Sequence, residues 1–262
     1  MSALTGIGVL VTRPESQAGP LSRQLIELGA TVFRLPTLEI RPRLDIKAQC
    51  SALGPLAAFD WIVYVSANAV RYGVGMWDAG STPRLAAVGP ATAAALTRAG
   101  YPLAVVPTEG YDSEHLLATP ELTALHGRRV LIVRGGQGRD ALAETLSARG
   151  ADVRTLDVYE RVIATPPPGA IAAVERAWTQ GEIHVVTVTS VEIARALYEL
   201  LSPTGRALYA RTPLLLGSAR IAEAAHHMAL RGTPIIAARP DDAGLLSALL
   251  TAVATGQPKA SA

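Results

Sequence analysis

The sequence contains a single cysteine, Cys50, which excludes an internal disulfide and a four-cysteine metal site. Its five histidines are scattered along the chain, and we expect no metal site. The excess of positive over negative charge is also small, because the formal net charge is only +2 and no stripe of lysine and arginine stands out. We therefore expect no nucleic-acid partner. A weak positive balance is still suited to a small polyanionic ligand.

Long apolar runs are missing as well. No stretch approaches the roughly 20 apolar residues of a membrane-spanning helix. The first residues lack the basic and then apolar pattern of a signal peptide, so we expect a cytoplasmic protein without membrane contact. Apolar residues make up 49% of the chain and charged residues 18%, a composition that supplies a buried core and argues against disorder.

Short apolar runs alternate with helical patterns along the whole chain. Val9–Thr12, Trp61–Ser66 and Val185–Thr189 have the character of buried strands, and the segments between such runs carry apolar residues at helical spacing. This alternation predicts an α/β fold with parallel sheets covered by helices on both faces. The other predicted strands are Val32–Leu35, Leu85–Val88, Leu103–Val106, Val130–Val133, Val153–Leu156, Leu214–Leu216 and Ile235–Ala238.

An internal repeat decides the predicted organisation. Residues 9–40 align with residues 130–161 without a gap, at an offset of 121, and ten aligned pairs are identical. In both copies this strand–helix–strand unit is followed by a strand ending in Ser or Thr and a strand ending in Gly. We therefore predict two doubly wound parallel-sheet domains built from a duplicated unit.

Two segments at equivalent points of the repeat are long for single strands, and each runs into a proline-containing stretch. We predict that these segments, 37–43 and 157–165, cross between the domains as a two-stranded linker and hinge. Domain 1 would then comprise residues 1–36 and 166–262, and domain 2 residues 44–156. The ligand would lie in the cleft between them. A tandem arrangement split near residue 128 is the alternative.

Polar residues and glycines collect where the predicted strands end and helices begin. Ligands of open parallel sheets bind outside the carboxyl ends of the strands, and helix N-termini attract anions. Each residue taken singly is explained as a helix N-cap, whereas the whole set indicates a site for several carboxylates or phosphates. The set is Arg13-Pro14, Ser66-Ala67-Asn68, Gly89-Pro90-Ala91-Thr92, Arg134-Gly135-Gly136, Thr189-Ser190 and Gly217-Ser218.

A glycine-rich loop offers a different interpretation. Gly136–Ala141 satisfies the loose dinucleotide-binding pattern G-x-G-x-x-A, and Asp157 follows at a suitable distance. The equivalent loop of the first copy, residues 15–20, lacks the pattern, and Arg139 would crowd the turn. A nucleotide-dependent enzyme therefore remains an alternative that rests on one loop.

Tyr159 lies on the second crossover segment, where its phenol could face the predicted cleft. The first copy of the repeat has Leu38 at the equivalent position. A neutral phenol can donate a hydrogen bond at neutral pH, which is what a weak catalytic acid requires. A purely structural tyrosine is the alternative.

These segments together resemble the uroporphyrinogen-III synthase family of tetrapyrrole biosynthesis, in order and over nearly the whole chain. The matching segments are VLVTRPE at Val9–Glu15, VSANAV at Val65–Val70, AAVGPATAAAL at Ala86–Leu96, VLIVRGGQGRDAL at Val130–Leu142, DVYER at Asp157–Arg161 and VTVTS at Val186–Ser190. Two places depart from the family pattern: Ser218 and Arg220 stand where a threonine is more common, and no proline follows Ser190.

The resemblance implies two α/β domains joined by a two-strand ladder, with an active site that needs no cofactor or metal. It implies a lyase that closes the polycarboxylate hydroxymethylbilane, with inversion of ring D and loss of water, to give uroporphyrinogen III. Tyr159 would help the hydroxyl group leave. Arg13 and Arg134 could instead brace helix starts. The implied substrate-binding residues are Arg13, Ser66, Asn68, Gly89, Thr92, Arg134, Arg139, Thr189, Ser190, Gly217 and Ser218.

We expect a monomer whose only contact with the preceding enzyme of its pathway is transient. A non-enzymatic two-lobed sensor of small molecules would also have duplicated α/β domains, and it stays open as an alternative. Such sensors usually carry a signal peptide or a DNA-binding segment, and neither is recognisable here.

Overall fold

The computed structural model describes residues 2–74, 83–102, 105–110, 112–136 and 141–258. The chain divides into two units, which we call unit 1 (Met1–Glu39 with Val162–Ala262) and unit 2 (Ile40–Arg161). Each unit contains one five-stranded sheet with helices. The predicted class, α/β with parallel sheets, is confirmed. No helix within the described residues is both long and apolar enough to span a bilayer.

The strands and helices of the described residues follow the alternation seen in the sequence. The strands are β1 (Gly8–Val11), β2 (Thr31–Arg34), β3 (Leu38–Pro42), β4 (Trp61–Tyr64), β5 (Arg84–Ala87), β6 (Arg129–Gly135), β7 (Asp152–Ile163), β8 (Val185–Val188), β9 (Leu214–Leu216) and β10 (Pro234–Ile236). The helices are α1 (Glu15–Glu27), α2 (Ile46–Leu53), α3 (Ala67–Gly73), α4 (Pro90–Arg98), α5 (Ser113–Leu117), α6 (Ala141–Ala148), α7 (Ala170–Thr179), α8 (Val191–Leu200), α9 (Pro203–Arg211), α10 (Ala219–His227) and α11 (Asp242–Ala254).

The sheet of unit 1 has the strand order β10-β9-β8-β1-β2, and its neighbouring strands pair in parallel. Strand β1 pairs with β2 on one side and with β8 on the other, so the first and last parts of the chain share one sheet. Side chains of β1 alternate between two cores. Leu10 packs into one cluster of buried residues, whereas Val9 and Val11 pack into the other. This alternation explains why an uninterrupted apolar run forms a strand that is buried on both faces.

The sheet of unit 2 has the order β3-β7-β6-β4-β5. Its strand β4 is likewise buried on both faces, with Ile62 and Tyr64 in one core and Trp61 and Val63 in the other. Burying side chains of this size stabilises a fold by roughly 1.5–3 kcal/mol each, so these two-sided cores fix the register of the sheet. The carboxyl ends of β4, β5 and β6 therefore meet at one edge of the sheet.

Strand β7 joins a predicted strand and a predicted crossover segment into one continuous strand. It continues from the predicted strand Val153–Leu156 to Ile163, through most of the predicted crossover segment 157–165. It lies beside β3 in the sheet. The amide of Arg43 donates to the carbonyl of Val158, and the amide of Ala164 donates to the carbonyl of Thr37. These two bonds run in opposite order along the strands, as in an antiparallel pair.

Two predicted strands differ from the structure. Residues 103 and 104 of the predicted strand Leu103–Val106 lie outside the described residues, and Val105 forms only an isolated parallel bridge with Ala86. The predicted strand Ile235–Ala238 is displaced towards the N-terminus, since β10 ends at Ile236. Ala237 still donates one backbone hydrogen bond, to Leu216, beyond the assigned end of the strand.

Candidate functional site

Unit 2 contains a cavity of about 330 Å³ at the carboxyl ends of its parallel strands. Val65 and Val88, which follow β4 and β5, form part of its wall, and β6 contributes Arg134 and Gly135. Tyr159 and Arg161 of β7 complete this side. The cavity is where the topology of a parallel sheet places ligands, because the chain leaves each strand there and exposes backbone groups. It is therefore the candidate site of unit 2.

The ring of Tyr159 packs against Gly135. The register between β6 and β7 shifts after the pair Arg134 and Asp157, so that Gly135 lies opposite Tyr159. A Cβ atom on Gly135 would lie 2.4 Å from both Cε2 and Cζ of the Tyr159 ring. The ring packs at 6.0 Å, centroid to centroid, from the ring of Tyr72, and the residue is only 2% exposed. The absence of a side chain at Gly135 thus creates the space that the phenol occupies.

The phenolic oxygen of Tyr159 has two polar neighbours. It lies 3.2 Å from Oγ of Ser66, where either atom can donate, and it accepts a hydrogen bond from Nη2 of Arg161 at 3.3 Å. Oγ of Ser66 also accepts from the amide of Ala69 at 3.1 Å and so caps α3. The hydroxyl that the sequence suggests as either an N-cap or a ligand-binding group therefore performs the cap and also contacts the phenol.

The positive charge of Arg134 is already paired with the carboxylate of Asp157. Its Nε lies 3.0 Å from Oδ1 of Asp157, and the amide of Asp157 donates to Oε1 of Gln49 at 3.3 Å. Both charged side chains are largely withdrawn from solvent, with exposed fractions of 17% and 28%. The pair holds the guanidinium at the cavity wall, so a ligand carboxylate that binds Arg134 would have to share it with Asp157.

Part of the cavity wall is acidic. It includes Asp112 and Glu114 at the beginning of α5. The backbone amide of His115 and then its imidazole donate hydrogen bonds to Oδ1 of Asp112, and these bonds lower the pKa of that carboxyl below its ordinary value. Asp112 is therefore ionised at neutral pH, and it adds an acceptor for N–H groups to a cavity that is also lined by Arg134 and Arg161.

Three further predicted residues of unit 2 lie on helix starts beside these strands. Asn68 is half-buried in the first turn of α3, Gly89 is the N-cap of α4 in an extended conformation, and Thr92 is buried within α4. None of the three is part of the wall of the described cavity. Arg139 lies outside the described residues. Residues 137–140 of the glycine-rich loop lie outside them too.

Unit 1 has its own set of polar strand ends. Ser190 caps α8 by accepting from the amide of Ile193 at 3.1 Å, and Ser218 occupies the N-cap position of α10. A Cβ on Gly217 would lie 3.8 Å from Cα of Thr189, so these two predicted residues are neighbours. The structure thus brings Thr189 and Gly217 together next to two helix N-termini.

Arg13 forms an ion pair with Asp242, which lies in the first turn of α11. The exposed fractions of the two side chains are 12% and 26%, so the pair is partly buried. This contact corresponds to the bracing role that the sequence left open for Arg13. An acidic group in the first turn is also stabilised by the helix dipole, and the pair fixes the end of β1 to α11.

We expect Arg13→Gln to lower the free energy of unfolding by about 1 kcal/mol, because it breaks a partly buried ion pair. The Michaelis constant should change little. Denaturant unfolding and steady-state kinetics measure the two effects, and Asp242→Asn is the matched variant, since it breaks the same pair from the other side. If Arg13→Gln alone raises the Michaelis constant, Arg13 binds substrate directly and the bracing role is wrong.

Three threonines at or near the strand ends of unit 1 are absent from the set of predicted site residues. Thr12, Thr37 and Thr187 are fully buried. Oγ1 of Thr12 donates to the carbonyl of Thr187, and Oγ1 of Thr37 donates to the carbonyl of Thr12 at 3.1 Å. Oγ1 of Thr187 in turn accepts from the amide of Thr12 at 3.2 Å. These bonds satisfy buried polar groups and hold the ends of β1 and β8 together.

We expect Ser66→Ala to cost about 1 kcal/mol of stability through the lost helix cap. Turnover should fall by about fivefold, the equivalent of one net hydrogen bond to the phenol. Thermal unfolding and initial rates measure the two effects. Ser202→Ala is the control, because Ser202 caps α9 by accepting from the amide of Gly205 at 3.2 Å and lies in unit 1. Because Oγ of Ser202 also donates to Oε2 of Glu175 at 2.8 Å, this variant should lose at least as much stability, at unchanged turnover. An equal loss of turnover in both variants would show that the phenol contact of Ser66 is unimportant.

Comparisons with known proteins agree on one family. A family model described as uroporphyrinogen-III synthase HemD matches residues 19–247. The uroporphyrinogen-III synthase of Escherichia coli strain K12 is 32% identical to this chain over 251 residues, which cover 93% of the chain and 100% of the relative.

Two solved structures have a similar fold. The chain matches uroporphyrinogen-III synthetase from Helicobacter pylori 26695 with a TM-score of 0.61 at 14% identity, covering 94% of this chain and 99% of that one. It matches a mutant uroporphyrinogen III synthase from the extremely thermophilic bacterium Thermus thermophilus with a TM-score of 0.60 at 20% identity, covering 95% of this chain and 99% of that one. At these identities the matches concern the fold alone.

Proposed function

Because this chain belongs to the uroporphyrinogen-III synthase family, we propose that it closes hydroxymethylbilane, with inversion of ring D and loss of water, to give uroporphyrinogen III. It is an enzyme, and in this reaction it acts as a lyase. The observation that carries the proposal within the structure is the phenol of Tyr159 at a cavity wall, 3.2 Å from Ser66. Neither a sensor nor a nucleotide-dependent enzyme is favoured by the family and its relatives.

The acid step requires one proton. Tyr159 donates its phenolic proton to the hydroxyl of the terminal hydroxymethyl group, the carbon–oxygen bond breaks, and water leaves with the electron pair of that bond. The remaining azafulvene cation is attacked by ring D to give a spiro intermediate, which opens and recloses with ring D inverted. A proton lost from a pyrrole carbon at the end restores the phenol, so the tyrosine is unchanged over one turnover.

Geometry is the larger contribution of the protein. The linear tetrapyrrole also closes spontaneously, without inversion, so the enzyme must hold a folded conformation in which ring D attacks at its substituted carbon. The carboxylates on every pyrrole ring are the groups through which the protein can hold this conformation. We propose that hydroxyl groups and backbone amides at the strand ends bind these carboxylates, as helix N-termini bind anions elsewhere. The residues are Ser66, Asn68, Gly89, Thr92, Thr189, Ser190, Gly217 and Ser218, together with the guanidinium groups of Arg134 and Arg139, whereas Arg13 braces α11 through Asp242.

The acidic residues of the cavity wall would contact a different part of the substrate, its ring system. Pyrrole N–H groups are donors, and the azafulvene is a cation, so ionised Asp112 in the cavity lining can accept from the one and stabilise the other. A site with both signs of charge thus matches a substrate that has acidic side chains on a ring system of N–H donors.

The test of the function is a coupled assay. Hydroxymethylbilane is generated in situ, the purified chain is added, and the oxidised products are separated chromatographically. Predominantly type III porphyrin is the expected result. Type I alone, from protein shown by circular dichroism to be folded, would contradict the synthase and favour the sensor. Nucleotide released from the denatured protein would favour the nucleotide-dependent enzyme.

We further propose that the enzyme is a monomer in the cytoplasm. Its labile substrate favours a short transfer from the enzyme that makes hydroxymethylbilane, by a contact that is only transient. Light scattering on a sizing column, with and without that enzyme, separates a monomer from a stable complex.

A further inference from the structure

Arg161 belongs to the segment DVYER and is absent from the set of predicted site residues. It stands two residues after Tyr159 on β7, and residues at this spacing point to the same side of a strand. Its Nη2 donates to the phenolic oxygen at 3.3 Å, and its Cζ lies 5.7 Å from the centroid of the Tyr159 ring. Both residues line the cavity of unit 2.

A guanidinium group has donors and no acceptor. The phenol therefore cannot direct its own proton towards Arg161, and its oxygen must be the acceptor of that bond. Oγ of Ser66 already accepts from the amide of Ala69, so its hydroxyl proton can be donated to the phenol. With Arg161 and Ser66 donating to the phenolic oxygen, the proton of Tyr159 is left for a third direction, towards the ligand.

We propose that Arg161 is a positioning residue that acts through Tyr159. It orients the phenolic proton towards the cavity and stabilises the negative charge on the oxygen when the proton passes to the leaving hydroxyl. The phenolic O–H bond breaks, an O–H bond of water forms, and the phenolate remains beside the guanidinium until it regains a proton from the pyrrole carbon. This role rests on the proposed function, since it specifies how the acid of that reaction is prepared.

A competing role for Arg161 is direct binding of a substrate carboxylate. The two roles differ in their dependence on the phenol. A residue that acts through Tyr159 loses its effect when the hydroxyl is absent, whereas a residue that binds a carboxylate keeps it. They also differ kinetically, because loss of a binding contact raises the Michaelis constant and loss of help to the acid lowers turnover.

The experiment is a double-mutant cycle of Arg161→Gln and Tyr159→Phe, read as the rate of type III formation. We expect Arg161→Gln to lower kcat by about 10-fold with little change in KM, and to lower it by less than about twofold in the Tyr159→Phe background. Arg161→Lys, which keeps a charged donor, should recover part of the rate. Arg154→Gln is the control, because Arg154 lies on the same strand, pairs with Asp152 at 3.4 Å and is 60% exposed. Equal losses from Arg161→Gln in both backgrounds, or a rise in KM alone, would overturn the proposal.

A second measurement does not depend on catalysis. Protein labelled with ¹³C at the phenolic carbon of tyrosine gives a resonance for Tyr159, assigned by its loss in Tyr159→Phe. We expect this resonance to move in Arg161→Gln, to return towards its original position in Arg161→Lys, and to stay in place in Arg154→Gln. A resonance that does not respond to Arg161→Gln would contradict the hydrogen bond itself. A type I product from wild-type protein, together with a resonance that does move, would overturn the proposed reaction and leave the bond intact.

Discussion

Gly135→Ala is expected to lower the rate of type III formation by about 100-fold, although the residue it replaces has no side chain. The added Cβ would lie 2.4 Å from two atoms of the Tyr159 ring, whereas nonbonded carbon atoms approach to about 3.5 Å. The ring must therefore move by about 1 Å. Displacements of this size in an active site are sufficient for rate losses of about two orders of magnitude.

The surroundings of the ring leave it little freedom to move. Tyr159 is 2% exposed, and the ring of Tyr72 lies on one side at 6.0 Å. A shift away from Gly135 moves the phenolic oxygen relative to Ser66, whose position is fixed as the cap of α3. The forced repacking should also cost about 1–3 kcal/mol of stability. Initial rates of the coupled assay and denaturant unfolding measure the two effects.

Gly136→Ala is the matched control, at the residue that directly follows Gly135 and the end of β6. Its Cβ would meet no atom closer than 3.8 Å, and neither glycine has the left-handed backbone conformation that would strain an alanine. We expect a stability change within about 0.5 kcal/mol and a nearly unchanged rate. Wild-type turnover in Gly135→Ala would show that the exact position of the Tyr159 ring is unimportant. Equal losses in the two variants would assign the effect to the backbone at the end of β6.

The two copies of the repeat support this coupling between glycine and tyrosine. The offset of 121 places Pro14 and Leu38 in the first copy where the second has Gly135 and Tyr159. Leu38 is buried in a core of unit 1, and Pro14 is the N-cap residue of α1. The first copy, which has no aromatic ring at the position of Tyr159, thus has a residue with a Cβ at the position of Gly135. The equivalent strand ends of the two copies therefore differ in what they contain: a buried core residue in the first, and a tyrosine packed against a glycine in the second.

The elements of the fold could be predicted because their signal is local. Apolar runs that are buried on both faces, such as Trp61–Tyr64, stand out in the sequence without any knowledge of their partners. The repeat added what a single run cannot provide, since it showed that the same strand–helix–strand unit occurs twice. The ends of strands were less certain, as β10 illustrates, because it ends at Ile236, two residues before its predicted end, although Ala237 still donates a backbone hydrogen bond to Leu216.

The partners within the site could not be predicted, because they are distant in sequence. Ser66 and Tyr159 are 93 positions apart and Arg13 and Asp242 are 229 apart, so no local pattern joins them. The register shift that sets Gly135 opposite Tyr159 arises from the pairing of two strands and leaves no mark in either one. Arg161 is different. Its spacing of two residues from Tyr159 on a predicted strand was a usable signal, and it was missed.

Tyr159→Phe is expected to lower turnover by about 10- to 100-fold while the fold stays intact, an effect below that of a fully engaged catalytic acid. Much of the barrier is overcome by holding the substrate in its folded conformation, which this change leaves in place. The loss of one hydroxyl with two polar neighbours should cost only about 1 kcal/mol of stability. Because the bilane also closes spontaneously, the slower enzyme should release a larger share of type I product. The ratio of isomers at several enzyme concentrations measures this.

Tyr101→Phe separates the chemistry from the general loss of a hydroxyl. Its phenol donates to the carbonyl of Val74 at 2.9 Å, in the same unit but outside the wall of the cavity. It should lose comparable stability without a change in the isomer ratio. The double variant Gly135→Ala with Tyr159→Phe then links the two predictions: if the alanine acts by displacing the hydroxyl, it should add little to a chain that has none. Unchanged turnover in Tyr159→Phe would remove the phenol from the mechanism, and a large effect of Gly135→Ala would then have to come from the shape of the cavity.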